Sequence, residues 1–245
     1  MISRPDYDPI VEQYRDFHHE SAIAPLRLQT FLEMVGDPRG ANVLDLACGD
    51  GTYGRTLLAQ GAICAVGIDV SEQMVVHGRR RSKACADTMT FVHADVLELQ
   101  AHGTFDIVIA AWLFNHAADI SQLQRMFKVA AQHLKPQGRL FALVPHPGYL
   151  LSAGDMAKYG VRIQEQTPHA GCQRLLVEFP GSPPAVVEDM QWPAATYGEA
   201  ARQAGLKAPV WVDACLTPQI LALREPDFWD DYLRNPLTGF FWCER

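Results

Sequence analysis

Acidic side chains stand at the ends of three successive runs of strand-forming residues. Asp45 lies near the end of the first run, and Asp69 and Asp95 follow the second and the third. Open α/β sheets bind ligands outside the carboxyl ends of their parallel strands. We therefore expect the three carboxylates to line one cleft, and a cleft lined by negative charge favours a cationic ligand.

A glycine-rich turn follows the first of these runs. Gly49, Gly51 and Gly54 fit the G-x-G-x-x-G pattern of dinucleotide-binding turns, and Asp69 follows at the distance expected of a ribose-binding acid. By itself the turn is compatible with NAD. Asp45 argues against it, because a carboxylate beside a pyrophosphate costs Coulomb energy. S-adenosylmethionine instead carries a sulfonium and an ammonium, which the same carboxylate attracts.

The segment 45–51, Asp-Leu-Ala-Cys-Gly-Asp-Gly, resembles the first motif of class I S-adenosylmethionine-dependent methyltransferases. That family usually has glycine where this chain has Ala47. The resemblance implies that Asp95 and the backbone of Val96 meet the adenine base, and that a helical segment near the N-terminus covers the methionine end. Asp69 is expected to bind the ribose hydroxyls. The expected cofactor-binding residues are Tyr14, Asp45, Ala47, Cys48, Gly49, Gly51, Asp69, Val70, Met74, Asp95, Val96 and Ala111.

The segment after the fourth predicted strand should carry the transfer chemistry, because it reaches the same edge of the sheet. His116 is the leading candidate for a general base, since imidazole titrates near neutral pH. His146, after the fifth strand, is the rival, and His18 or His19 is the third possibility. Asn115 is a candidate for orienting the acceptor or the methionine carboxylate. The expected acceptor-binding residues are Tyr7, His18, Trp112, Phe114, Asn115 and Trp192.

A closer resemblance extends over most of the chain. Segments 110–115, 126–129, 158–161 and 228–230 are similar to the azapteridine N-methyltransferases of toxoflavin biosynthesis. That likeness implies N-methylation of a small, planar, nitrogen-rich heterocycle, although His116 stands where those enzymes have an aromatic residue. The alternatives are an O- or other N-methyltransferase of a small metabolite, an NAD-dependent oxidoreductase, and a partner subunit that binds the cofactor without turning it over.

Charge and composition limit the class of partner. The 245 residues carry a formal net charge of −7, which gives no electrostatic footprint for nucleic acid. The six cysteines are scattered without a C-x-x-C pair, so we expect reduced thiols in a cytoplasmic protein and no metal site. No signal peptide or membrane-spanning run is predicted. We expect a small-molecule substrate and a monomer or homodimer.

The elements that must position these residues follow a βα pattern. We predict a single domain with a Rossmann-like, seven-stranded, mostly parallel sheet, an antiparallel last strand and helices on both faces, as the family resemblance implies. Its parts are a helical cap at 1–36, a cofactor-binding core at 37–144, a lid or substrate insertion at 145–195, and a C-terminal helix with the last strands at 196–245. Strands are predicted at 42–46, 62–68, 89–92, 107–111, 139–144, 173–179, 186–192, 210–212 and 240–242, with 173–179 and 186–192 forming a hairpin. Helices are predicted at 24–35, 72–83, 120–133, 150–159 and 197–204, and one starts at Thr52. Ser71 is the expected N-cap of the helix at 72–83, and residues 134–138 are expected to form a tight turn.

Overall fold

A seven-stranded sheet forms the centre of the protein. The computed structural model describes residues 8–100, 103–225 and 227–245. The strands of the sheet are β1 (Asn42–Leu46), β2 (Cys64–Asp69), β3 (Thr90–His93), β4 (Phe105–Ala111), β5 (Leu134–Pro145), β9 (Val210–Val212) and β10 (Thr238–Glu244), in the order β3-β2-β1-β4-β5-β10-β9. The first five run parallel, and β10 is antiparallel to both of its neighbours. The predicted fold class is confirmed.

Helices cover both faces of this sheet. They are α1 (Val11–Glu20), α2 (Ala24–Val35), α3 (Thr52–Ala59), α4 (Glu72–Cys85), α5 (Ile120–Gln132), α6 (Ala194–Gln203), α7 (Pro218–Leu221) and α8 (Asp230–Arg234). Successive strand residues point to opposite faces. Leu44 of β1 and Val108 of β4 accordingly pack in a cluster with α5 and α6, whereas Val43 and Ile107 pack with α2, α3 and α4.

Two helices on these faces begin at side-chain caps. Ser71 accepts a 3.1 Å hydrogen bond from the backbone N–H of Met74 at the start of α4, as its predicted N-cap role requires. Asp119 accepts a 2.8 Å hydrogen bond from the N–H of Gln122 at the start of α5. Both caps direct the chain from the carboxyl edge of the sheet back over its face.

A second, three-stranded antiparallel sheet stands over the carboxyl edge. It consists of β6 (Arg162–His169), β7 (Cys172–Phe179) and β8 (Ala185–Gln191). The predicted hairpin of β7 and β8 is confirmed. β6 was not predicted, because its side chains are mostly polar and only partly buried, so it lacks a clear apolar alternation. The inner face of this sheet packs with Phe17 and Leu26 of the first two helices.

Two sequence predictions about local structure are wrong. Residues 134–138 were predicted to be a tight turn, but they belong to β5, whose pairing with β4 shifts register between Phe105 and Ile107 and whose Gln137 adopts a φ of 65°. The sheet thus absorbs the Pro-Gly segment as a bulge. The predicted helix at 150–159 is two short 3₁₀ turns, Leu151–Ala153 and Ala157–Tyr159.

Within the described ranges, every helix is too short or too polar to cross a membrane.

Candidate functional site

Two adjacent concavities lie at the carboxyl edge of the main sheet, next to β1 and β4. The first, which we call the glycine-turn cleft, has a space of about 470 Å³ that includes open solvent at its mouth. The order of strands reverses between β1 and β4, which is where ligands bind in doubly wound sheets. Its wall contains six of the predicted cofactor-binding residues, namely Tyr14, Ala47, Cys48, Gly49, Met74 and Ala111, together with Arg15, His18, His19, Asp50, Thr52, Tyr53 and Trp112.

Two non-glycine residues with a strained backbone lie in the wall of this cleft. Ala47 has a φ of 56° and Trp112 a φ of 62°, in the left-handed region that L-residues with a side chain seldom occupy. Ala47 is the position where the resembling family has glycine, and its φ supplies the reason. Gly49 has a φ of 55°, and a Cβ there would meet no atom within 4 Å. The turn therefore leaves open space for a ligand directly above its backbone.

Asp45 supports the turn from below, because its side chain points into the protein. Its Oδ2 accepts a 3.0 Å hydrogen bond from the N–H of Gly54 in α3, and the residue is fully buried. Burial raises the pKa of Asp45 to about 7. It is not part of the cleft wall, so its charge acts on a ligand through the turn instead of by contact. Gly51 also faces inward, since a Cβ there would lie 2.7 Å from Met89 Sδ.

Asp69 ties the glycine turn to the end of β2. Its Oδ2 accepts a 2.7 Å hydrogen bond from the N–H of Gly49, and its Oδ1 accepts one of 2.9 Å from the N–H of Ser71. Burial raises the pKa of Asp69, and these two backbone donors oppose that shift. Asp69 lies behind the cleft wall, next to the turn. Its predicted role in ribose binding stays a prediction.

The predicted adenine-binding residues follow β3, outside the cleft wall. Asp95 caps a 3₁₀ turn, where its Oδ1 accepts a 2.8 Å hydrogen bond from the N–H of Leu97. Val96 is buried in that turn, whereas Val70, after β2, is 48 % exposed. Their predicted contacts with an adenine base stay predictions.

Helix α1 closes the glycine-turn cleft from above. His19 Nε2 lies 3.1 Å from Asp50 Oδ2, and Arg81 Nη1 donates to the same oxygen at 2.7 Å. Burial opposes ionisation of Asp50, but His19 and Arg81 hold the pKa of its carboxyl well below the usual range. The sequence analysis missed Asp50 and Arg15. The i, i+3, i+4 spacing of Arg15, His18 and His19 is the pattern that indicates one helix face.

The second concavity, which we call the apolar cavity, lies between α1, the segment after β4 and the three-stranded sheet. Its space of about 440 Å³ includes open solvent at its mouth. Its wall shares Tyr14, His18 and Trp112 with the glycine-turn cleft, so these three side chains stand between the two concavities. The other wall residues are Phe17, Asn115, Pro145, Val161, Ile163, Leu175, Val177, Phe179, Asp189 and Leu237.

Asp189 is a wall residue that the sequence analysis missed. It is 7 % exposed and accepts a 2.8 Å hydrogen bond at Oδ1 from Asn115 Nδ2. Burial raises the pKa of Asp189 to about 6, and the Asn115 hydrogen bond opposes that shift. The sequence does carry a signal for this residue. Val187, Asp189 and Gln191 alternate along β8, and this alternation places all three side chains on the buried face of the strand.

His116 lies behind this pair and outside the wall of the apolar cavity. Its Nδ1 is 3.8 Å from Asp189 Oδ1, and its Nε2 is 3.4 Å from Asn115 Nδ2. Burial lowers the pKa of His116 to about 4. The ring is therefore neutral at physiological pH. Its predicted role as a general base stays a prediction.

Arg27 is a further residue that the sequence analysis missed. Its side chain is 1 % exposed, and its guanidinium carbon lies 4.4 Å from the centre of the Phe17 ring and 5.8 Å from that of Trp112. Nη2 donates to the carbonyl of Phe17 and to Ser21 Oγ. Within the part of the chain that the structure describes, Nε and Nη1 have no hydrogen-bond partner. A buried guanidinium with two open donors suits an anionic group of a ligand.

Three predicted site residues lie away from both concavities. Phe114 is fully buried against Phe127, with ring centres 4.1 Å apart, and belongs to the core between the sheet and α5. Trp192 is 1 % exposed in the same core. His146 Nδ1 accepts a hydrogen bond from the N–H of Gly148, and burial lowers its pKa. The core thus takes two of the aromatic side chains predicted to bind the acceptor, while Tyr7 lies outside the described residues.

Comparison with known families and proteins bears on this arrangement. Residues 43–138 match the family described as "Methyltransferase domain". The ubiquinone biosynthesis O-methyltransferase of Sodalis glossinidius is 29 % identical over 161 residues, which cover 64 % of this chain and 62 % of that protein. The ribosomal RNA small subunit methyltransferase C of Chromohalobacter salexigens is 31 % identical over 51 % of this chain and 39 % of its own length. The chain thus spans less than two thirds of these relatives.

Solved structures of similar fold cover nearly the whole chain. An S-adenosylmethionine-dependent methyltransferase from Mesorhizobium loti superposes with a TM-score of 0.66 at 22 % identity, covering 92 % of this chain and 99 % of its own. The magnesium protoporphyrin IX methyltransferase of Synechocystis PCC 6803, determined with bound S-adenosylmethionine, gives a TM-score of 0.63 at 16 % identity and covers 99 % of this chain and 94 % of its own. At these identities the likeness is one of fold.

Proposed function

We propose that this chain, whose residues 43–138 form a class I S-adenosylmethionine-dependent methyltransferase domain, transfers a methyl group to a small molecule bound in the apolar cavity. The methyltransferase class and the cofactor predicted from the sequence are confirmed for this domain. The family match also decides against the NAD-dependent alternative.

The glycine-turn cleft fits this cofactor. Bound S-adenosylmethionine supplies a methyl group activated on a sulfonium. The open space above Gly49 accepts a ligand close to the backbone, and the buried carboxylate of Asp45 behind the turn favours a cation. From the family resemblance, we assign Asp69 to bind the ribose hydroxyls and Asp95 and Val96 to bind the adenine. The carboxylate of the methionine moiety has a candidate partner in the two open donors of Arg27.

The observation that carries the proposal is the shared wall of the two concavities. Trp112, His18 and Tyr14 line both, so a ligand in the cleft and a ligand in the cavity meet at these three side chains. Methyl transfer is an in-line displacement, in which the protein must align donor and acceptor and exclude water. Helix α1, held to the turn by the His19–Asp50 contact, covers the junction and serves both needs.

Our leading proposal for the acceptor is a planar nitrogen heterocycle that is methylated on nitrogen, as in the azapteridine enzymes that the sequence resembles. A cavity with aromatic and aliphatic walls and few polar groups suits a flat ring. O-methylation is the second candidate, because the curated relative reported above is an O-methyltransferase. The net charge of −7 favours a small molecule over RNA.

The test begins with ligand binding. The melting temperature is measured with S-adenosylhomocysteine and with NAD, since a ligand stabilises by its concentration relative to its Kd. We expect the melting temperature to rise with S-adenosylhomocysteine and not with NAD. Mass spectrometry then follows methyl transfer to candidate heterocycles and phenols. A shift with NAD alone would refute the cofactor assignment, and cofactor binding without transfer to any acceptor would support a non-catalytic partner subunit.

A further inference from the structure

We propose that Asp189 binds the acceptor through an N–H or O–H group and takes the proton that the methyl group replaces. This inference rests on the proposed methyltransferase function. On this inference, the apolar cavity binds acceptors that carry a hydrogen-bond donor at or beside the methylated atom.

The position of Asp189 is the first support for this role. Asp189 is the one carboxylate among the described residues of the cavity wall, which is otherwise mainly aliphatic and aromatic. Its Oδ1 is held by Asn115, while its Oδ2 has no protein donor in residues 8–100, 103–225 and 227–245. Oδ2 is therefore free to accept a hydrogen bond from a ligand. A carboxylate in such surroundings is costly unless a ligand or a proton compensates it.

The orientation of Asn115 is the second, independent support. A carboxylate only accepts hydrogen bonds, so the amide nitrogen of Asn115 must face Asp189. This leaves Asn115 Oδ1 buried, and it has no hydrogen-bond donor in the described part of the chain. Asn115 is 1 % exposed and lines the same cavity. Two oxygens of this pair thus require donors, which a ligand with N–H or O–H groups supplies.

The chemical step balances with these groups alone. The acceptor's nitrogen or oxygen lone pair forms the new bond to the methyl carbon as the S–CH₃ bond breaks, and the electron pair of that bond stays on sulfur. The sulfonium becomes the neutral thioether of S-adenosylhomocysteine. The acceptor atom loses its proton to Asp189 Oδ2, which becomes a carboxylic acid and passes the proton to solvent after product release.

Asp189 is better placed than His116 for this task. His116 lies outside the cavity wall, and its Nδ1 is 3.8 Å from the Oδ1 that already accepts from Asn115. We assign His116 as a positioning residue behind the pair. Since it acts through Asp189 and Asn115, the variant His116→Gln is expected to keep the preference for donor-bearing ligands that Asp189 confers.

The test compares ligands that differ only in the donor. Isothermal titration calorimetry of protein saturated with S-adenosylhomocysteine uses pteridine-2,4-dione against its 1,3-dimethyl derivative, and catechol against 1,2-dimethoxybenzene. We expect the wild type to bind one parent compound at least about tenfold more tightly than its methylated partner, as for a charge-assisted hydrogen bond. The pteridine pair tests an N–H donor and the benzene pair tests an O–H donor, so the two pairs distinguish acceptors methylated on nitrogen from acceptors methylated on oxygen.

Two variants at Asp189 and a matched control complete the design. Asp189→Leu removes the acceptor oxygens and should reduce the preference to less than about threefold, with Asp189→Asn between Leu and wild type. Glu188→Gln is the control, because Glu188 is the adjacent acid of β8, partly exposed and paired with Arg174. Unchanged S-adenosylhomocysteine affinity in each variant reports an intact fold.

The outcomes separate this inference from the proposed function. The inference is overturned if the wild type prefers neither parent compound, or if Asp189→Leu keeps the preference. Loss of the preference in Glu188→Gln would also overturn it. Failure of the wild type to bind S-adenosylhomocysteine would instead refute the methyltransferase proposal.

Discussion

The Asn115 amide donates a 2.8 Å hydrogen bond to the carboxylate of Asp189, and this bond joins the segment after β4 to a strand 74 residues further along the chain. It links the main sheet, through the segment after β4, to the three-stranded sheet, through β8. Both side chains are buried, so the bond has consequences for stability as well as for chemistry.

Removing one partner of this hydrogen bond should lower the free energy of unfolding more than removing both partners. Asn115→Leu leaves the Asp189 carboxylate buried without its donor, and we expect a loss of about 1 to 3 kcal/mol. The double variant with Asp189→Leu should recover most of it, because two apolar groups of similar shape need no partner. Urea unfolding measures both. Additive losses in the double variant would show that the two residues are not coupled.

The pH dependence of turnover should follow the ionisation of Asp189. Burial raises its pKa to about 6, and a proton acceptor must be ionised, so kcat/KM should rise through about pH 6 and then level off. The titratable groups that face it are His116, His18, Tyr14 and Tyr197. Burial holds both histidines neutral and both tyrosines protonated in this range. Asp45, whose pKa burial raises to about 7, acts on cofactor binding, so kcat/KM for the acceptor is measured at saturating S-adenosylmethionine to assign the step near pH 6 to Asp189.

The variants used above for binding also test this assignment. Asp189→Asn should lower kcat by about 10²-fold and remove the step near pH 6. Glu188→Gln should leave the profile in place. A step that persists in Asp189→Asn would assign it to another group.

Arg27→Met should weaken S-adenosylhomocysteine binding about tenfold or more, the loss expected for a hydrogen bond to a charged group. Its affinity for 5′-methylthioadenosine, which lacks the amino-acid part, should not change. Stability should change little, because removing a buried and incompletely paired charge offsets the loss of the Nη2 hydrogen bonds to Phe17 and Ser21. Calorimetry with both ligands provides the comparison. Arg15→Met is the control, because Arg15 is an arginine of the cleft wall, and a selective loss there would reassign the carboxylate.

Asp69→Asn should weaken S-adenosylhomocysteine and 5′-methylthioadenosine equally, because both contain the ribose. The expected loss is about 1 to 3 kcal/mol for each ligand. Asp106→Asn is a suitable control, since Asp106 pairs with Lys135 at the start of β4, away from the cleft. Unchanged affinity for both ligands in Asp69→Asn would remove this carboxylate from the ribose site.

Ala47→Gly should stabilise the protein by about 1 kcal/mol, because glycine adopts the left-handed conformation at φ 56° without strain. The same substitution at Ala59, in α3, should destabilise by about 0.5 to 1 kcal/mol. Denaturant unfolding of the two variants gives the comparison. Equal effects at both positions would contradict strain at Ala47.

Local sequence patterns determined the elements of the main sheet. β1 and α2 have the predicted bounds, since an apolar run before a glycine turn and a 3.6-residue apolar period are encoded within a few residues. The predicted start of α4 at the Ser71 cap is likewise confirmed. β6 and the bulge in β5 were not predictable, because pairing across the sheet decides them and local preference does not.

The sequence by itself determined the fold and the position of the glycine turn and indicated the methyltransferase class, because these depend on short motifs whose residues are contiguous. Only the tertiary structure decided which side chains line the apolar cavity. It buries Phe114 in the core and brings Asp189 to Asn115 across 74 residues. It also leaves Arg27 buried beside Trp112 with two open donors in the described chain. Such contacts arise from the packing of distant elements, for which a single sequence carries no local pattern.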